Sequence, residues 1–161
     1  MHSKMTKGLF AGSFDPFTIG HASIVERAAA IFDRIVVAVG YNEHKSGMYG
    51  VAERVEAIRR LYAGDPRVEV ESFTGLTVDF ARRCGATALV RGVRGSSDFE
   101  FERNLADTNA AIADLETVLL ISRPELAFVS SSMVRELIHN GYDASRYIAA
   151  PIGCGAETHN N

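Results

Sequence analysis

Residues 8–32 read GLFAGSFDPFTIGHASIVERAAAIF, an apolar segment that breaks at Gly-Ser-Phe-Asp-Pro and resumes as a helical pattern. The run at 8–12 is typical of a short buried strand. Gly12 permits a close backbone approach after that strand, and Pro16 stiffens the turn. Beyond Gly20, apolar residues recur at helical spacing, which predicts a helix that starts near His21. The segment is therefore a strand, a loop and a helix, with a histidine at the helix start.

The same alternation continues along the rest of the chain. Short β-branched runs predict further strands at 34–40, 67–73, 87–92 and 116–122, and helical spacing predicts helices at 51–61, around 78–82, at 98–113 and at 131–140. Helices between consecutive strands favour a parallel sheet with right-handed crossovers. The predicted fold is an α/β doubly wound domain, a five-stranded parallel sheet with helices on both faces.

The chain has 161 residues, a length that fits one domain, which we place at 5–152. Residues 1–4 precede a second methionine and are interpreted as an added N-terminal extension. The segment 153–161 shows no periodicity and is predicted to be a disordered tail.

Composition excludes several classes of protein. Apolar residues make up 47% of the chain and the formal net charge is −3, which argues against a general nucleic-acid-binding surface. Cys84 and Cys154 lie far apart without a metal-ligand cluster, so they are interpreted as thiols in a reducing compartment. Neither a membrane span nor a signal peptide is evident. We expect a cytoplasmic protein with no membrane or nucleic-acid partner.

In a doubly wound sheet, ligands bind beyond the carboxyl ends of the strands, so the loops after residues 12, 40, 73, 92 and 122 are the candidates. In the first loop, Ser13 offers a hydroxyl and the following helix start offers free N–H groups, which together suit a phosphate. His21 would then face the anion. The alternative is a polar first-turn residue facing solvent. Neither GxGxxG nor GxxxxGK[ST] is present, so the loop belongs to another class of phosphate site.

The segment RGVRGSSDFEFE, residues 91–102, places Arg91 at a strand end and Arg94 three residues later. Guanidinium groups suit phosphate and stay charged at physiological pH. The alternative is that both arginines pair with nearby carboxylates, of Asp98, Glu100 or Glu102, as exposed side chains often do.

Two further features each have two interpretations on the basis of the sequence. The segment AFVSSSMVRELI, residues 127–138, predicts either a helix cap, with Ser132 and Glu136 near a capping arrangement, or a second phosphate cradle formed with Arg135. Lys45 lies in a loop on the predicted ligand side, although a single lysine is most often a solvated surface charge.

Taken in order, GSFDPFTIGH (12–21), RGVRGSSDFEFE and FVSSSMVRE (128–136) resemble the signatures of the nucleotidyltransferase superfamily. Within that superfamily the span from about 7 to 150 is similar to the bacterial pantetheine-phosphate adenylyltransferase family. The resemblance implies a Rossmann-like nucleotidyltransferase fold. It also implies transfer of the adenylyl group of ATP to 4'-phosphopantetheine, giving dephospho-coenzyme A and pyrophosphate in the penultimate step of coenzyme A synthesis.

The resemblance also implies roles for individual positions. His21, Lys45 and Arg91 would be catalytic, with His21 on the α-phosphate and the other two on the phosphate of the acceptor. Ser13 and Thr77 would add contacts to the acceptor. The ATP site would comprise Ser13, Phe14, His21, Gly92, Val93, Arg94, Glu102, Leu126, Ala127, Phe128, Val129, Ser130, Ser131 and Ser132.

The same resemblance implies Mg²⁺ arriving with ATP, a homohexamer, and coenzyme A as a feedback inhibitor that shares the acceptor's pantetheine arm. No covalent intermediate is needed, because the acceptor is already a phosphate anion and alignment plus charge stabilisation suffice. Two other readings stay open: a related transferase acting on nicotinate mononucleotide, and a catalytically silent nucleotide-binding module.

Overall fold

A computed structural model describes residues 3–153 of the chain. The predicted tail at 153–161 lies outside the described residues except for Gly153, as do the first two residues of the predicted extension. The strands are β1 (Lys7–Gly12), β2 (Arg34–Gly40), β3 (Val68–Phe73), β4 (Ala88–Val93) and β5 (Glu116–Ile121). The helices are α1 (Ile19–Ala28), α2 (Val51–Leu61), α3 (Thr77–Cys84), α4 (Ser96–Ala113) and α5 (Ser131–His139), with 3₁₀ turns at Pro124–Leu126 and Ser145–Tyr147.

The five strands form one parallel sheet in the order β3-β2-β1-β4-β5. This confirms the predicted doubly wound α/β fold. The strand order reverses between β1 and β4, and such a switch point opens a crevice at the carboxyl edge of a parallel sheet. The loops after β1 and β4 therefore flank the position where a ligand is expected.

Alternate strand residues point to opposite faces of the sheet, and each face has its own core. Phe10, Val37 and Val90 pack with α1 and α2 on one face, while Leu9, Val36 and Leu89 pack with α3 on the other. Helix α4 packs beside β4 and β5. Both faces are covered by helices, which explains why the central strands have continuous apolar runs.

The ends of α1 and the cap of α5 differ from the sequence prediction. Helix α1 begins at Ile19, before His21, because Thr18 is the N-cap. It ends at Ala28, so Phe32 lies in the following turn, where it is nevertheless buried. The N-cap of α5 is Ser130, whose hydroxyl accepts from the N–H of Met133, and the expected arrangement of Ser132 with Glu136 was wrong. In the described part of the chain, every helix is too short or too polar to cross a membrane.

Candidate active site

Three cavities open at the carboxyl edge of the sheet, and Ala11 and Arg91 line all three. The first cavity, of about 400 Å³, lies between the loop after β1 and the starts of α1 and α5. The second, of about 300 Å³, lies among the loops after β1, β2 and β3. The third, of about 210 Å³, lies between α3 and α4. Ligands in neighbouring cavities would therefore meet at Arg91.

His21 faces the first cavity from the first turn of α1. Its Nδ1 atom lies 2.9 Å from the backbone nitrogen of Thr18, whose N–H donates to it, and the Thr18 hydroxyl accepts from the N–H of His21. These reciprocal bonds form a capping box in which histidine replaces the usual Glu or Gln. Since Nδ1 accepts a hydrogen bond, the proton of the neutral ring is on Nε2.

The pKa of His21 is lowered from 6.5 to about 3 by burial of the imidazole and by the positive charges of Arg94 and Arg91. Three phenylalanines surround the ring, with centroids 5.0 Å (Phe14), 5.3 Å (Phe17) and 6.1 Å (Phe10) away. At neutral pH the imidazole is therefore uncharged, held in one orientation, and able to donate one hydrogen bond from Nε2. In the protein without ligand, His21 is therefore available as a hydrogen-bond donor and carries no charge.

Three hydrogen bonds hold the guanidinium of Arg91 in place. Its Nε and one terminal nitrogen each lie 2.8 Å from an oxygen of Glu102, and its other terminal nitrogen donates to the carbonyl of Ala11 at 2.7 Å. The Glu102 side chain is 8% exposed and that of Arg91 29%. The predicted alternative of carboxylate pairing thus holds for Arg91 even though Arg91 also lines the cavities.

Arg94 is paired more loosely than Arg91. Its Nε lies 3.1 Å from Oδ2 of Asp98, and the same oxygen accepts from the Arg94 N–H at 3.2 Å. The side chain is 41% exposed and lines the first cavity. Exposed pairs of this type are weak, so an incoming phosphate can compete for the guanidinium.

The three serines before α5 have three different contacts. Ser130 caps the helix, Ser131 donates its hydroxyl to the carbonyl of Pro16 at 2.8 Å, and Ser132 accepts from Arg135 at 3.3 Å. Arg135 also donates to the carbonyl of Asp15 at 2.9 Å. The start of α5 is thereby attached to the loop after β1. The cap interpretation is confirmed, with Ser130 as the capping residue, and the phosphate cradle stays a prediction.

Most of the predicted site residues are brought together. The first cavity is lined by Ser13, Phe14, His21, Gly92, Arg94, Glu102, Leu126, Val129, Ser130, Ser131 and Ser132. Thr77 lines the second and third cavities. Among the described residues, four predicted positions do not line these cavities: Lys45 is in an exposed loop, Val93 is buried, Phe128 is exposed and packs edge-on against Tyr147, and Ala127 lies between the lining residues.

The cavities also contain residues that sequence reasoning did not select for the site. Phe101 and Ser122 line the first cavity, Tyr41 and Asn42 line the second, and Leu105 and Asn109 line the third. Ser122, Tyr41 and Asn42 directly follow strands, so position at a strand end was an available signal. Leu105 and Asn109 lie within α4, and no local pattern distinguishes them from other helical residues.

A parallel sheet whose carboxyl edge presents a histidine-capped helix, two arginines and a serine helix start has the features of a nucleotidyltransferase. Comparison with known proteins agrees, since the family model described as cytidylyltransferase-like matches residues 9–137. The chain is 53% identical over 145 residues to the phosphopantetheine adenylyltransferase of Porphyromonas gingivalis, covering 90% of this chain and 95% of that protein. The chain belongs to the phosphopantetheine adenylyltransferase family.

Two further comparisons agree with this membership. The phosphopantetheine adenylyltransferase of Bacteroides fragilis is 46% identical over 144 residues, covering 89% of this chain and 96% of that protein. A bifunctional NMN adenylyltransferase/ADP ribose pyrophosphatase from Francisella tularensis, solved with AMP and a manganese ion, superposes with a TM-score of 0.69 at 13% identity. That match covers 91% of this chain but only 45% of the solved chain, and it supports the fold alone.

Proposed function

We propose that this protein transfers the adenylyl group of ATP to 4'-phosphopantetheine, producing dephospho-coenzyme A and pyrophosphate in the penultimate step of coenzyme A synthesis. The observation that carries the proposal is the position of Arg91 between two cavities. On one side Arg91 lines the first cavity, which is polar and contains helix N-termini, and on the other side it lines the third cavity, which is smaller and apolar. A nucleotide suits the first, and a phosphate with a flexible organic arm suits the second and third. Membership of a family with this named activity supports the same substrates.

ATP is assigned to the first cavity. The N–H groups at the starts of α1 and α5 and the guanidinium of Arg94 suit its phosphates. His21 would donate from Nε2 to an oxygen of the α-phosphate. Three residues proposed to contact ATP, Val93, Ala127 and Phe128, do not line the first cavity, so they would have to move toward the nucleotide to contact it. The other contacts proposed for ATP come from Ser13, Phe14, Gly92, Glu102, Leu126 and the segment 129–132.

The acceptor is assigned to the second and third cavities. Arg91 has five N–H groups, of which three are engaged by Glu102 and Ala11, so two remain for the acceptor phosphate. Ser13 and Thr77 line the second cavity, and Thr77 continues into the third. The third cavity is largely apolar, with Leu76, Leu89 and Leu105 among its lining residues, which suits the pantetheine arm. Lys45 would reach the phosphate from the exposed loop after β2.

The proposed reaction is an in-line displacement at the α-phosphorus. A phosphate oxygen of the acceptor forms a new bond to that phosphorus as the bond to the oxygen bridging the α- and β-phosphates breaks, and pyrophosphate leaves with the electron pair. The attacking oxygen is already anionic, so no side chain needs to remove a proton. His21 and Arg91 stabilise charge that develops on the phosphoryl oxygens, and the three cavities align the two substrates.

Mg²⁺ is the proposed metal, carried in with ATP. In the described part of the chain, no three His, Cys, Asp or Glu side chains form a group that could hold a metal ion. Asp98 and Glu102 line the first cavity, but both carboxylates are engaged by arginines. This donor set fits a Mg²⁺ bound through the ATP phosphates and water, the usual mode for nucleotide-bound magnesium, and the Ser13 and Ser132 side chains line the same cavity. When bound, the ion would neutralise charge on the triphosphate.

A homohexamer is proposed for the assembly. Helix α4 exposes Phe99, Phe101, Leu105 and Ile112, and the end of β5 exposes Ile121 to 75%. Exposed large apolar side chains of this kind are typical of an interface, although Leu105 and Ile112 also line the third cavity. The surface supports self-association, and the sixfold number comes from the resemblance to the family.

Two further parts of the proposal concern regulation and location. Coenzyme A contains the same pantetheine arm as the acceptor, so we propose that it competes for the second and third cavities.

We also propose a cytoplasmic location, with which the free thiol of Cys84 is compatible.

The proposed function is tested by pyrophosphate release from ATP with 4'-phosphopantetheine, beside the same assay with nicotinate mononucleotide and beside a folded His21→Ala variant. Release with phosphopantetheine alone, lost in the variant, is the expected result. Release with the nucleotide acceptor would assign the chain to the related transferases, and ATP binding without release would favour a silent nucleotide-binding module.

A further inference from the structure

The loop at 41–50, which carries Lys45, is exposed from residue 42 to residue 48. A lysine side chain loses conformational freedom when it binds a phosphate, and the loss is larger if the backbone that carries it is not held in place. This entropy loss weakens the interaction. Binding of a phosphate through Lys45 therefore depends on how the loop backbone next to it is attached to the rest of the site.

One attachment comes from Asp15, in the loop after β1. Its two carboxylate oxygens accept from the backbone N–H groups of Met48 and Tyr49 at 2.8 and 2.9 Å, and the residue is only 6% exposed. The contact requires glycine at position 47, because a Cβ there would lie 2.5 Å from the Asp15 carboxylate. Asp15 thus joins two loops that are more than 30 residues apart in the chain.

The second attachment comes from Arg54, in the first turn of α2, which is 5% exposed. Its Nε donates to the carbonyl of Tyr49 at 3.1 Å, and a terminal nitrogen donates to the carbonyl of Ser13. Among the ion pairs of the described residues, none includes Arg54. A buried cation without a carboxylate is costly, which indicates that these two carbonyl contacts matter.

Asp15 and Arg54 hold the same peptide region of Tyr49 from its N–H and its C=O. We propose that these two residues are positioning residues for the acceptor, fastening residues 47–49 to the loop at 13–15 so that Lys45 and Ser13 keep a constant separation. The inference rests on the proposed function, and neither side chain needs to touch a substrate.

The effect should fall on the acceptor more than on ATP. Tyr41 and Asn42, from the fastened loop, line the second cavity, whereas none of the described residues at 41–50 lines the first. The ATP side of the loop after β1 has its own attachments, from Arg135 to the Asp15 carbonyl and from Ser131 to the Pro16 carbonyl. Both use backbone oxygens, so substitution of the Asp15 side chain leaves them available.

The test compares Asp15→Asn and Arg54→Met with the unaltered protein in steady-state kinetics. Asparagine retains one acceptor but turns an N–H₂ group toward the second backbone N–H. We expect the KM for phosphopantetheine to rise by about tenfold or more and the KM for ATP to change by less than about threefold. Arg54→Lys, which keeps the charge and one donor nitrogen, should recover part of the loss.

Matched controls separate positioning from loss of stability. Asp33 also accepts two hydrogen bonds, from the N–H and hydroxyl of Thr6, at the opposite edge of the sheet. Arg59 also lies on α2 and donates to a backbone carbonyl, that of Val70. Asp33→Asn and Arg59→Met should lower the melting temperature without changing either KM.

Amide hydrogen exchange gives a readout that does not depend on catalysis. In Asp15→Asn, the amides of Met48 and Tyr49 should exchange at least about tenfold faster, while the core amides of β1 stay protected. If the unaltered protein does not turn over phosphopantetheine, the proposed function is overturned. Amide exchange at Met48 and Tyr49 would still test whether Asp15 fastens residues 47–49 to the loop at 13–15. Unchanged exchange at these amides, or an acceptor KM no higher than in the controls, would overturn this inference.

Discussion

The guanidinium of Arg91 and the carboxylate of Glu102 form a two-point ion pair, with both N–O distances 2.8 Å, at the place where the three cavities meet. The glutamate is almost fully buried and the arginine is not. Glu102 therefore orients Arg91. Because the Ala11 carbonyl accepts one further N–H, two of the five N–H groups are left for a ligand. In this structure the carboxylate predicted for the ATP site is paired with the arginine predicted for the acceptor.

Replacing Glu102 with glutamine should remove this orientation. One of the two charge-assisted bonds is lost and the Arg91 charge is left unpaired, so we expect the free energy of unfolding to fall by about 1–3 kcal/mol. The KM for phosphopantetheine should rise more than the KM for ATP. Urea unfolding and steady-state kinetics measure the two effects.

The control for this prediction is Asp107→Asn in the pair of Arg103 and Asp107, whose side chains are 69% and 75% exposed. Such a pair contributes under about 1 kcal/mol, so the control should unfold close to the unaltered protein. Equal stability of the two variants would contradict the orienting role of Glu102.

Replacing His21 with alanine should reduce kcat by about 10²–10³-fold, the usual cost of one donor to a developing negative charge. Folding should be retained, with a loss of about 1 kcal/mol from the capping box. Single-turnover rates and equilibrium ATP binding separate the two effects. A kcat within threefold of the unaltered value would contradict the proposed donor role.

The lowered pKa of His21 predicts a specific dependence of stability on pH. The unfolded chain binds a proton at this residue near pH 6.5, whereas the folded protein does so only near pH 3. Stability from this residue is therefore fully present above pH 6.5 and is lost as the pH falls toward 3. Urea unfolding across this range should show a weaker decline in His21→Gln than in the unaltered protein.

The control for the pH prediction is His44→Gln, since the side chain of His44 is exposed. Its stability should follow the pH dependence of the unaltered protein. If His21→Gln also follows that dependence, the buried neutral state of His21 is contradicted. NMR of the ring nitrogens gives a direct check, with Nε2 protonated and Nδ1 unprotonated at pH 6.

The exposed apolar side chains of α4 predict an effect on assembly. Phe99→Glu replaces one of them with a charge, and we expect sedimentation to report a smaller species than the unaltered protein. Ile31→Glu, at an exposed apolar residue after α1, is the control and should keep the native mass. Identical masses for all three proteins would contradict the α4 interface.

Coenzyme A should inhibit in competition with phosphopantetheine. Because the proposed shared site is the second and third cavities, the apparent KM for the acceptor should rise with coenzyme A concentration while the maximal rate stays constant. Initial-rate measurements at several acceptor concentrations test this. Undiminished rates at saturating coenzyme A would contradict feedback at this site.

Much of the fold was available from the sequence, for a physical reason. Strands and helices depend on periodic burial within about ten residues, so the runs at 34–40 and 51–61 predicted their elements to the residue. The alternation of the two element types then restricted the topology to a parallel sheet. The sequence also placed Ser13, His21 and Arg91 near the carboxyl edge, because Ser13 and His21 follow the first predicted strand and Arg91 lies at the carboxyl end of another.

Only the tertiary structure decided what those residues contact. Glu102 pairs with Arg91 because α4 crosses the end of β4, and Asp15 reaches Tyr49 because the loops after β1 and β2 lie side by side. The pKa of His21 is lowered first by burial of the ring and then by the charges of Arg94 and Arg91, some 70 residues away in the chain. Local patterns determine which residues form a strand or helix, but a side chain's partners depend on how distant elements pack, and that information is not local.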